Sequence, residues 1–310
     1  MNTQDRVAVC SRSFSRHPVL RQELLQRYQH VTFNDRGMSL EGMSLIAFIQ
    51  GHNKAITALE TINDLVLAGL PELEVISKYG VGLDMIDQDA VKRHGKRLSW
   101  TAGVNRLSAA ELALALAIVT LRKVVAGNRE ILAGEWRQLT GGLLSGRTVG
   151  IIGCGHIGQE LVRLLKPFSC TILINDIRDR SEFCSQHNVR AMEKDHLLQQ
   201  SDVVSLHVPL DESTRNMISR EKLALMKSSA ILLNLARGGL VDEIALKEAL
   251  QQGKLAGAAF DVFAQEPPSD RELLQLPNFL ATPHLGGSAE EAILAMGRAA
   301  IVGLDPEITS

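Results

Sequence analysis

Three ionisable residues, each just beyond a short apolar run, have the side chains needed to reduce a carbonyl: Arg237, Glu266 and His284. Arg237 follows the run Leu232–Ala236 and is itself followed by two glycines. Glu266 follows Phe260 and Asp261, and His284 follows Ala281, Thr282 and Pro283. A guanidinium can grip a carboxylate through two parallel hydrogen bonds. An imidazole can pass a proton near neutral pH. A carboxylate beside that ring can orient it and stabilise its charged form.

The surrounding pattern shows what must position them. Strand-like runs stand at Arg6–Cys10, Lys54–Thr57, Glu74–Lys78, Thr148–Ile152, Thr171–Ile174, Asp202–Leu206, Ala230–Asn234, Gly257–Phe260 and Phe279–Ala281. Amphipathic segments lie between them, including Pro18–Tyr28, Ile157–Leu165, Glu221–Met226, Asp242–Gln251 and Ala289–Ile301. Strands alternating with helices predict βαβ units and parallel sheets. Several strands are apolar throughout, as expected when helices cover both faces. Asp242 is placed to cap the helix that Gly253 closes, and Ser108 with Glu111 has capping-box spacing. The three candidate residues then sit at the carboxyl ends of parallel strands, where open α/β sheets bind ligands.

A second motif lies upstream. Gly153, Gly155 and Gly158 follow the apolar run Thr148–Ile152 and open a helix. In that context the three glycines provide a tight turn, close approach of a pyrophosphate, and close helix–strand packing. The helix start, with His156 and Ile157, offers free N–H groups and a positive dipole to the phosphates. Asp176, after the next strand and 18 residues beyond Gly158, stands where this fold sets an acid against the adenosine ribose. A carboxylate there repels a 2′-phosphate and argues for NAD over NADP, although Arg178 is what a 2′-phosphate would want. Because this unit begins near residue 145, the preceding strands predict a separate N-terminal α/β domain.

Composition narrows the class. The chain has 310 residues, 45% hydrophobic and 22% charged, which suits two folded domains and excludes intrinsic disorder. A formal net charge of -2 provides no global basic field for nucleic acid or an anionic membrane. The longest apolar stretch, Ala109–Leu121, is too short for the roughly 20 residues a bilayer needs. The N-terminus lacks a signal-peptide pattern, and Cys10, Cys154, Cys170 and Cys184 form no paired motif. Reduced thiols and a cytoplasmic location are expected, with no metal, since the histidines show no ligand spacing.

In order and spacing these motifs resemble the NAD-dependent D-isomer-specific 2-hydroxyacid dehydrogenases, from about Leu73 to Ala300. The segments Lys78–Asp87, Gly103–Leu112, Leu206–Leu210 and Gly239–Glu243 carry the resemblance further, and it is nearest the phosphoglycerate dehydrogenase branch. It implies a Rossmann NAD-binding domain, residues 102–285, inserted in a flavodoxin-like α/β substrate domain, residues 1–101 and 286–310, with a cleft between them. It implies hydride transfer between NAD(H) and the C2 of a D-2-hydroxy or 2-keto acid. Arg237 would bind the substrate carboxylate and carbonyl, His284 would be the acid/base, and Glu266 would pair with it. Lys78, Tyr79, Gly80, Val81 and Gly82 would hold substrate, chiefly through main-chain amides. Asp261 would lie near the nicotinamide carboxamide, and His207, Val208 and Pro209 along the adenine side. Thr214, Leu235, Ala236 and Gly286 complete the implied cofactor contacts. A helix near Arg106–Val125 would contribute to a homodimer, and the last helix would return to the N-terminal domain.

Two features depart from that branch. Thr57 stands where an arginine is usual, followed by Ala58, Leu59 and Glu60. Lys78 remains basic, but one lysine beside a glutamate is a weak phosphate site, which argues against a phosphorylated substrate. Arg106 and Arg137 are the other candidate anion ligands. Only Val302–Ser310 follows the last helix, so no appended regulatory domain is expected. Cys154 is read as a small apolar filler at a helix start, and Trp136 as a core or dimer anchor. A second class stays open: some proteins resembling this family are NAD(H)-sensing, corepressor-like binding proteins. Formate-oxidising relatives carry Gln in place of the triad Glu, so Glu266 argues against that chemistry.

Overall fold

The computed structural model describes residues 2–305. Met1 and residues 306–310 lie outside it, and with the latter part of the C-terminal stretch on which the expectation about an appended domain rests. The chain forms two compact units, dividing after Asn105 and after Ser288. The sequence reading divides it after residues 101 and 285.

The first unit begins with β1 (Asn2–Val9), α1 (Arg12–Arg16), α2 (Pro18–Arg27), β2 (Tyr28–Phe33), α3 (Gly42–Ile49), β3 (Lys54–Thr57), α4 (Asp64–Ala68), β4 (Val75–Lys78), α5 (Gln88–Arg93) and β5 (Arg97–Ser99). The second unit runs through α6 (Arg106–Leu121), α7 (Val124–Leu132), β6 (Thr148–Ile152), α8 (His156–Leu165), β7 (Thr171–Asn175), α9 (Ser181–His187), β8 (Arg190–Ala191), α10 (Lys194–Gln200) and β9 (Val203–Leu206). It continues with α11 (Arg220–Leu223), β10 (Ile231–Asn234), α12 (Glu243–Gln251), β11 (Gly257–Phe260), α13 (Arg271–Gln275) and β12 (Phe279–Ala281). The last helix, α14 (Glu290–Val302), belongs to the first unit.

The first unit holds a five-stranded parallel sheet, order β2-β1-β3-β4-β5, which is the flavodoxin-like order. Alternate residues feed opposite faces: Ala8, Ala55 and Ile76 enter one core, and Val7, Val9, Ile56 and Val75 the other. The second core also takes Ala300 and Ile301 of α14, whose Ala300 carbonyl accepts a hydrogen bond from the Ser77 hydroxyl at 2.7 Å. At the N-terminal strand ends, buried Lys54 pairs with Asp5 at 2.6 Å and lies 3.5 Å from Asp305. The Tyr28 hydroxyl donates to the same Asp305. Burial, then that carboxylate, pushes the Tyr28 phenol far above its ordinary range.

The second unit holds a seven-stranded parallel sheet, order β12-β11-β10-β9-β6-β7-β8. Counted from β6, this is the dinucleotide-binding order extended by one strand, with its reversal between β6 and β9. Ile231 and Leu233 face one core and Leu232 the other, so the continuous apolar run is buried on both sides. Asp242 accepts from the Ala245 N–H at 3.0 Å and caps α12 as read from the sequence.

Several elements differ from expectation. The strands β2, β5 and β8 are not legible as apolar runs, because their residues are largely polar and little buried. The expected helix near Arg106–Val125 is two helices, broken where Lys123 takes φ 53°. Ser108 is not a cap. It lies in the first turn of α6, and its hydroxyl donates to the Gly286 carbonyl at 2.9 Å. Among the described residues no helix is long and apolar enough to cross a membrane.

Candidate active site

The three candidate residues follow three adjacent strands. Arg237 leaves β10, Glu266 leaves β11 and His284 leaves β12, all at the carboxyl edge of the seven-stranded sheet. Neighbouring strands lie about 4.8 Å apart, so topology alone brings these loops together. His284 Nδ1 is 2.9 Å from Glu266 Oε2. Both side chains are about half exposed, at 49% and 40%, so the far side of the imidazole is open to a ligand. The other Glu266 oxygen accepts from the Phe263 N–H at 3.1 Å, which fixes the carboxylate. Glu243 supports the same loop, accepting from the Ala264 N–H at 2.8 Å, and burial raises its carboxyl above the usual range.

Asp261 is the hub of this edge. It is 1% exposed, yet its carboxylate accepts from the Thr282 hydroxyl at 2.5 Å, the Leu285 N–H at 2.7 Å and the Gly286 N–H at 2.8 Å. Its carbonyl accepts from the His284 N–H at 2.9 Å. Such charge-assisted bonds are worth about 1.5–3 kcal/mol each when buried. They hold His284 at φ 57°, a left-handed conformation that a non-glycine residue keeps only under restraint. Residues 282–286 are therefore fastened to the strand end before any ligand arrives. Asn234 does the same for the arginine loop: its side chain donates to the Arg237 carbonyl at 2.8 Å and accepts from the Ala236 N–H at 3.2 Å. The Arg237 guanidinium donates to the Ala236 carbonyl at 2.6 Å. Leu235 and Ala236 are buried.

The glycine loop lies at the point where the strand order reverses. Gly153 turns at φ 94°, and a Cβ there would sit 2.4 Å from the His207 carbonyl oxygen; a Cβ on Gly158 would sit 2.2 Å from the Gly153 oxygen. Beside Gly155, by contrast, a Cβ would meet nothing within 4 Å. Gly155 starts α8 with no side-chain cap, leaving the N–H groups at His156 and Ile157 to a ligand. An open cradle at an uncapped helix start fits a dinucleotide pyrophosphate. Asp176 reaches back into this loop. It accepts from the Cys154 N–H at 2.7 Å and the Arg178 N–H at 2.8 Å, and the Arg180 guanidinium lies 3.3 Å from it. Arg180 went unread in the sequence, where only Arg178 drew notice. Cys154 is buried, which pushes its thiol up to about 12 and leaves it an unreactive filler.

His207 follows β9, with its Nε2 2.8 Å from the Ser205 hydroxyl, and burial lowers it to about 4, so the ring is neutral. Val208 is half-buried and Pro209 exposed. The Thr214 hydroxyl donates to the Pro209 carbonyl at 2.8 Å and closes the loop between them.

In the first unit, Lys78, Tyr79, Gly80, Val81 and Gly82 lead off the carboxyl end of β4. The Tyr79 ring is packed inside, edge-on to Phe14 with centroids 5.5 Å apart. What it offers a ligand is main chain. Gly80 takes φ 129°, and the Trp100 indole N–H donates to the Val81 carbonyl at 2.8 Å, bracing the loop. Lys78 is buried, and its ammonium donates to the Ala58 carbonyl. Arg106 lies 3.4 Å from Glu160 and Arg137 pairs with Glu130. Trp136 is 85% exposed, so it is no core residue of this chain.

Sequence signals for Asp261, Asn234 and Trp100 as braces were absent, because hydrogen bonds between distant segments leave no periodic pattern. Residues 114–286 match the family model described as D-isomer specific 2-hydroxyacid dehydrogenase, NAD binding domain. The D-3-phosphoglycerate dehydrogenase of Methanocaldococcus jannaschii is 40% identical over 75% of this chain and 45% of its own length. The hydroxypyruvate reductase of Thermotoga maritima is 39% identical over 78% of this chain and 79% of its own. The chain thus spans about half the length of the phosphoglycerate dehydrogenases it matches. A solved glyoxylate reductase from Paecilomyes thermophila superposes with a TM-score of 0.84 at 26% identity, covering 96% of this chain and 94% of that one.

Proposed function

Because the chain belongs to the D-isomer specific 2-hydroxyacid dehydrogenases, we propose that it interconverts a small 2-keto acid and its D-2-hydroxy acid with NAD(H). The observation that carries this reading is the His284–Glu266 pair, 2.9 Å apart at a strand edge fastened by Asp261.

In the reducing direction the imidazole delivers a proton to the carbonyl oxygen through Nε2, while Nδ1 stays on Glu266. Glu266 holds the ring's orientation. The Arg237 guanidinium binds the carboxylate and draws charge from the carbonyl. In the first unit, the amides of Gly80, Val81 and Gly82 are proposed to hold substrate. A nicotinamide held by the second unit would supply or accept the hydride at C2. The residues that would hold it are the Gly153–Gly158 loop for the pyrophosphate, Asp176 for the ribose, and His207 to Pro209 and Thr214 along the adenine side. Leu235, Ala236, Asp261 and Gly286 would line the nicotinamide side. Asp176 favours NAD over NADP by repulsion of a 2′-phosphate. Relatives named hydroxypyruvate reductase and glyoxylate reductase fit an unphosphorylated substrate, and those named D-3-phosphoglycerate dehydrogenase a phosphorylated one, so the names alone do not choose between them.

A homodimer is part of the proposal. The helix α7 buries none of its residues, and Val124, Ile131, Leu132 and Trp136 stand more than half exposed nearby in sequence. These exposed apolar side chains are the support for that reading.

NADH absorbance with glyoxylate, hydroxypyruvate and pyruvate tests the reaction. We expect turnover, a loss of about 100-fold or more in kcat for His284→Ala, and unchanged NADH binding by that variant. Full activity in His284→Ala removes it from the acid/base role. Tight capture of a peptide with no turnover of any keto or hydroxy acid overturns the enzyme reading for an NAD-sensing one.

A further inference from the structure

Arg237 and Glu266 stand on different loops of the seven-stranded sheet, and one short segment ties the two together. Residues 237–243 run from the end of β10 to the start of α12. This segment is rigid. Leu240 and Val241 are buried, and residues 216–218 ladder onto it. The Asn216 N–H donates to the Gly239 carbonyl at 2.8 Å, the Ile218 N–H to the Leu240 carbonyl at 3.0 Å, and the Asp242 N–H to the Ile218 carbonyl at 3.1 Å. The loop that bears Glu266 is different, since residues 264–267 are exposed. It meets the rigid segment at two points. A Cβ on Gly238 would sit 1.9 Å from the Phe263 carbonyl carbon and oxygen, so that backbone lies directly on the bare glycine. At the far end of the segment, Glu243 Oε1 accepts from the Ala264 N–H at 2.8 Å. The adjacent amide, that of Phe263, is the one Glu266 uses. Asp242 already caps α12, so Glu243 is not needed there. Burial, opposed by the Ala264 hydrogen bond, raises the Glu243 carboxyl above its usual range. Keeping a carboxylate in such a place costs stability, which its hold on the loop explains.

We propose that Glu243 is a positioning residue that fixes the spacing between the Arg237 guanidinium and the His284–Glu266 pair. The inference rests on the dehydrogenase reading and adds a residue that acts only through the loop. A keto acid gripped by Arg237 presents its carbonyl to His284 only while the two loops keep their distance. Gly238 sets how close the backbones come, and Glu243 keeps the Glu266 loop from lifting away. The bond needs an acceptor oxygen and no charge, so glutamine can replace Glu243 and alanine cannot.

The test uses the full chain with NADH and glyoxylate. For Glu243→Ala we expect kcat to fall about 10-fold, with the KM for glyoxylate and the Kd for NADH held within about twofold. Glu243→Gln should bring kcat back to within about threefold of wild type. Amide hydrogen exchange is followed in the same three proteins. Residues 263–266 should exchange about 10-fold faster in Glu243→Ala and at the wild-type rate in Glu243→Gln, with residues 282–286 unchanged in both. An unchanged kcat in Glu243→Ala overturns the proposal. An equal loss in both variants also overturns it, since that assigns the effect to the charge. Faster exchange across the whole seven-stranded sheet overturns it as well, because a purely structural role predicts that. If the wild type turns over no keto acid, the dehydrogenase reading falls, and exchange alone decides the positioning: acceleration confined to residues 263–266 upholds it, and unchanged exchange there overturns it.

Discussion

At the carboxyl edge of the seven-stranded sheet Asp261 collects three side-chain hydrogen bonds, Asn234 staples the arginine loop at both ends, and Glu266 divides its oxygens between His284 and a backbone amide. The five-stranded sheet ends differently. There Thr57 keeps a buried hydroxyl without a partner among the described residues, and Val81 depends on one indole N–H from the partly exposed Trp100. Proton transfer requires donors fixed to within a fraction of an ångström, and the edge proposed to carry the acid/base pair is the one fastened in this way. The two edges differ in how far their polar groups are already satisfied.

The most damaging way to break the contrast is Asp261→Ala. It unfastens residues 282–286 and should cut kcat by about 100-fold or more, with a stability loss of about 3–5 kcal/mol. Steady-state kinetics paired with a thermal melt checks both; kcat within threefold of wild type would mean that the hub is not needed to hold His284.

Acid should loosen this same edge. His207 is lowered to about 4 from an ordinary 6.5, so the unfolded chain takes up this proton first as pH falls. Its contribution is complete above about pH 6.5, declines as pH falls through the window down to about 4, and amounts to at most about 3 kcal/mol. Urea melts at several pH values should show a shallower decline in His207→Asn. An unchanged slope would assign the acid sensitivity to other groups.

At the five-stranded edge the effects shrink. Trp100→Phe removes the brace on Val81 and should raise KM about 2–5-fold with kcat held, the value of one partly exposed hydrogen bond. Thr57→Val should leave stability within about 0.5 kcal/mol of wild type or raise it slightly, since an unpartnered hydroxyl is replaced by an isosteric methyl. A destabilisation above about 1 kcal/mol would show that the hydroxyl has a folding role and would erase the comparison.

Much of the architecture was legible because burial writes itself locally. The strands β3, β6, β11 and β12 have the bounds read from the sequence, since each is a short apolar run between turn residues. The edge strands β2 and β8 escaped because their outer faces are polar: the burial of Tyr28–Phe33 falls off after Tyr28, and Arg190–Ala191 is exposed. The break at Lys123 escaped as well, since the residues on both sides favour helix and a lysine carries no signal for the left-handed turn it takes. Ser108 shows the opposite failure. Its capping-box spacing was genuine, but the helix starts two residues earlier and the hydroxyl serves residue 286 instead.

The amino-acid sequence by itself determined the order of strands and helices, the glycine turn with its following acid, and which residues end the strands that carry Arg237, Glu266 and His284. Those features depend on neighbours a few residues apart, where steric rules and hydrophobic periodicity act. Only the tertiary structure decided that Asp261 anchors residues 282–286, that Asp176 is drawn into the glycine loop beside Arg180, and that Thr57 is buried with its hydroxyl unpartnered. Each of these is set by hydrogen bonds, or their absence, between segments brought together by strand pairing in the folded sheets, and that pairing order is written nowhere in the local sequence.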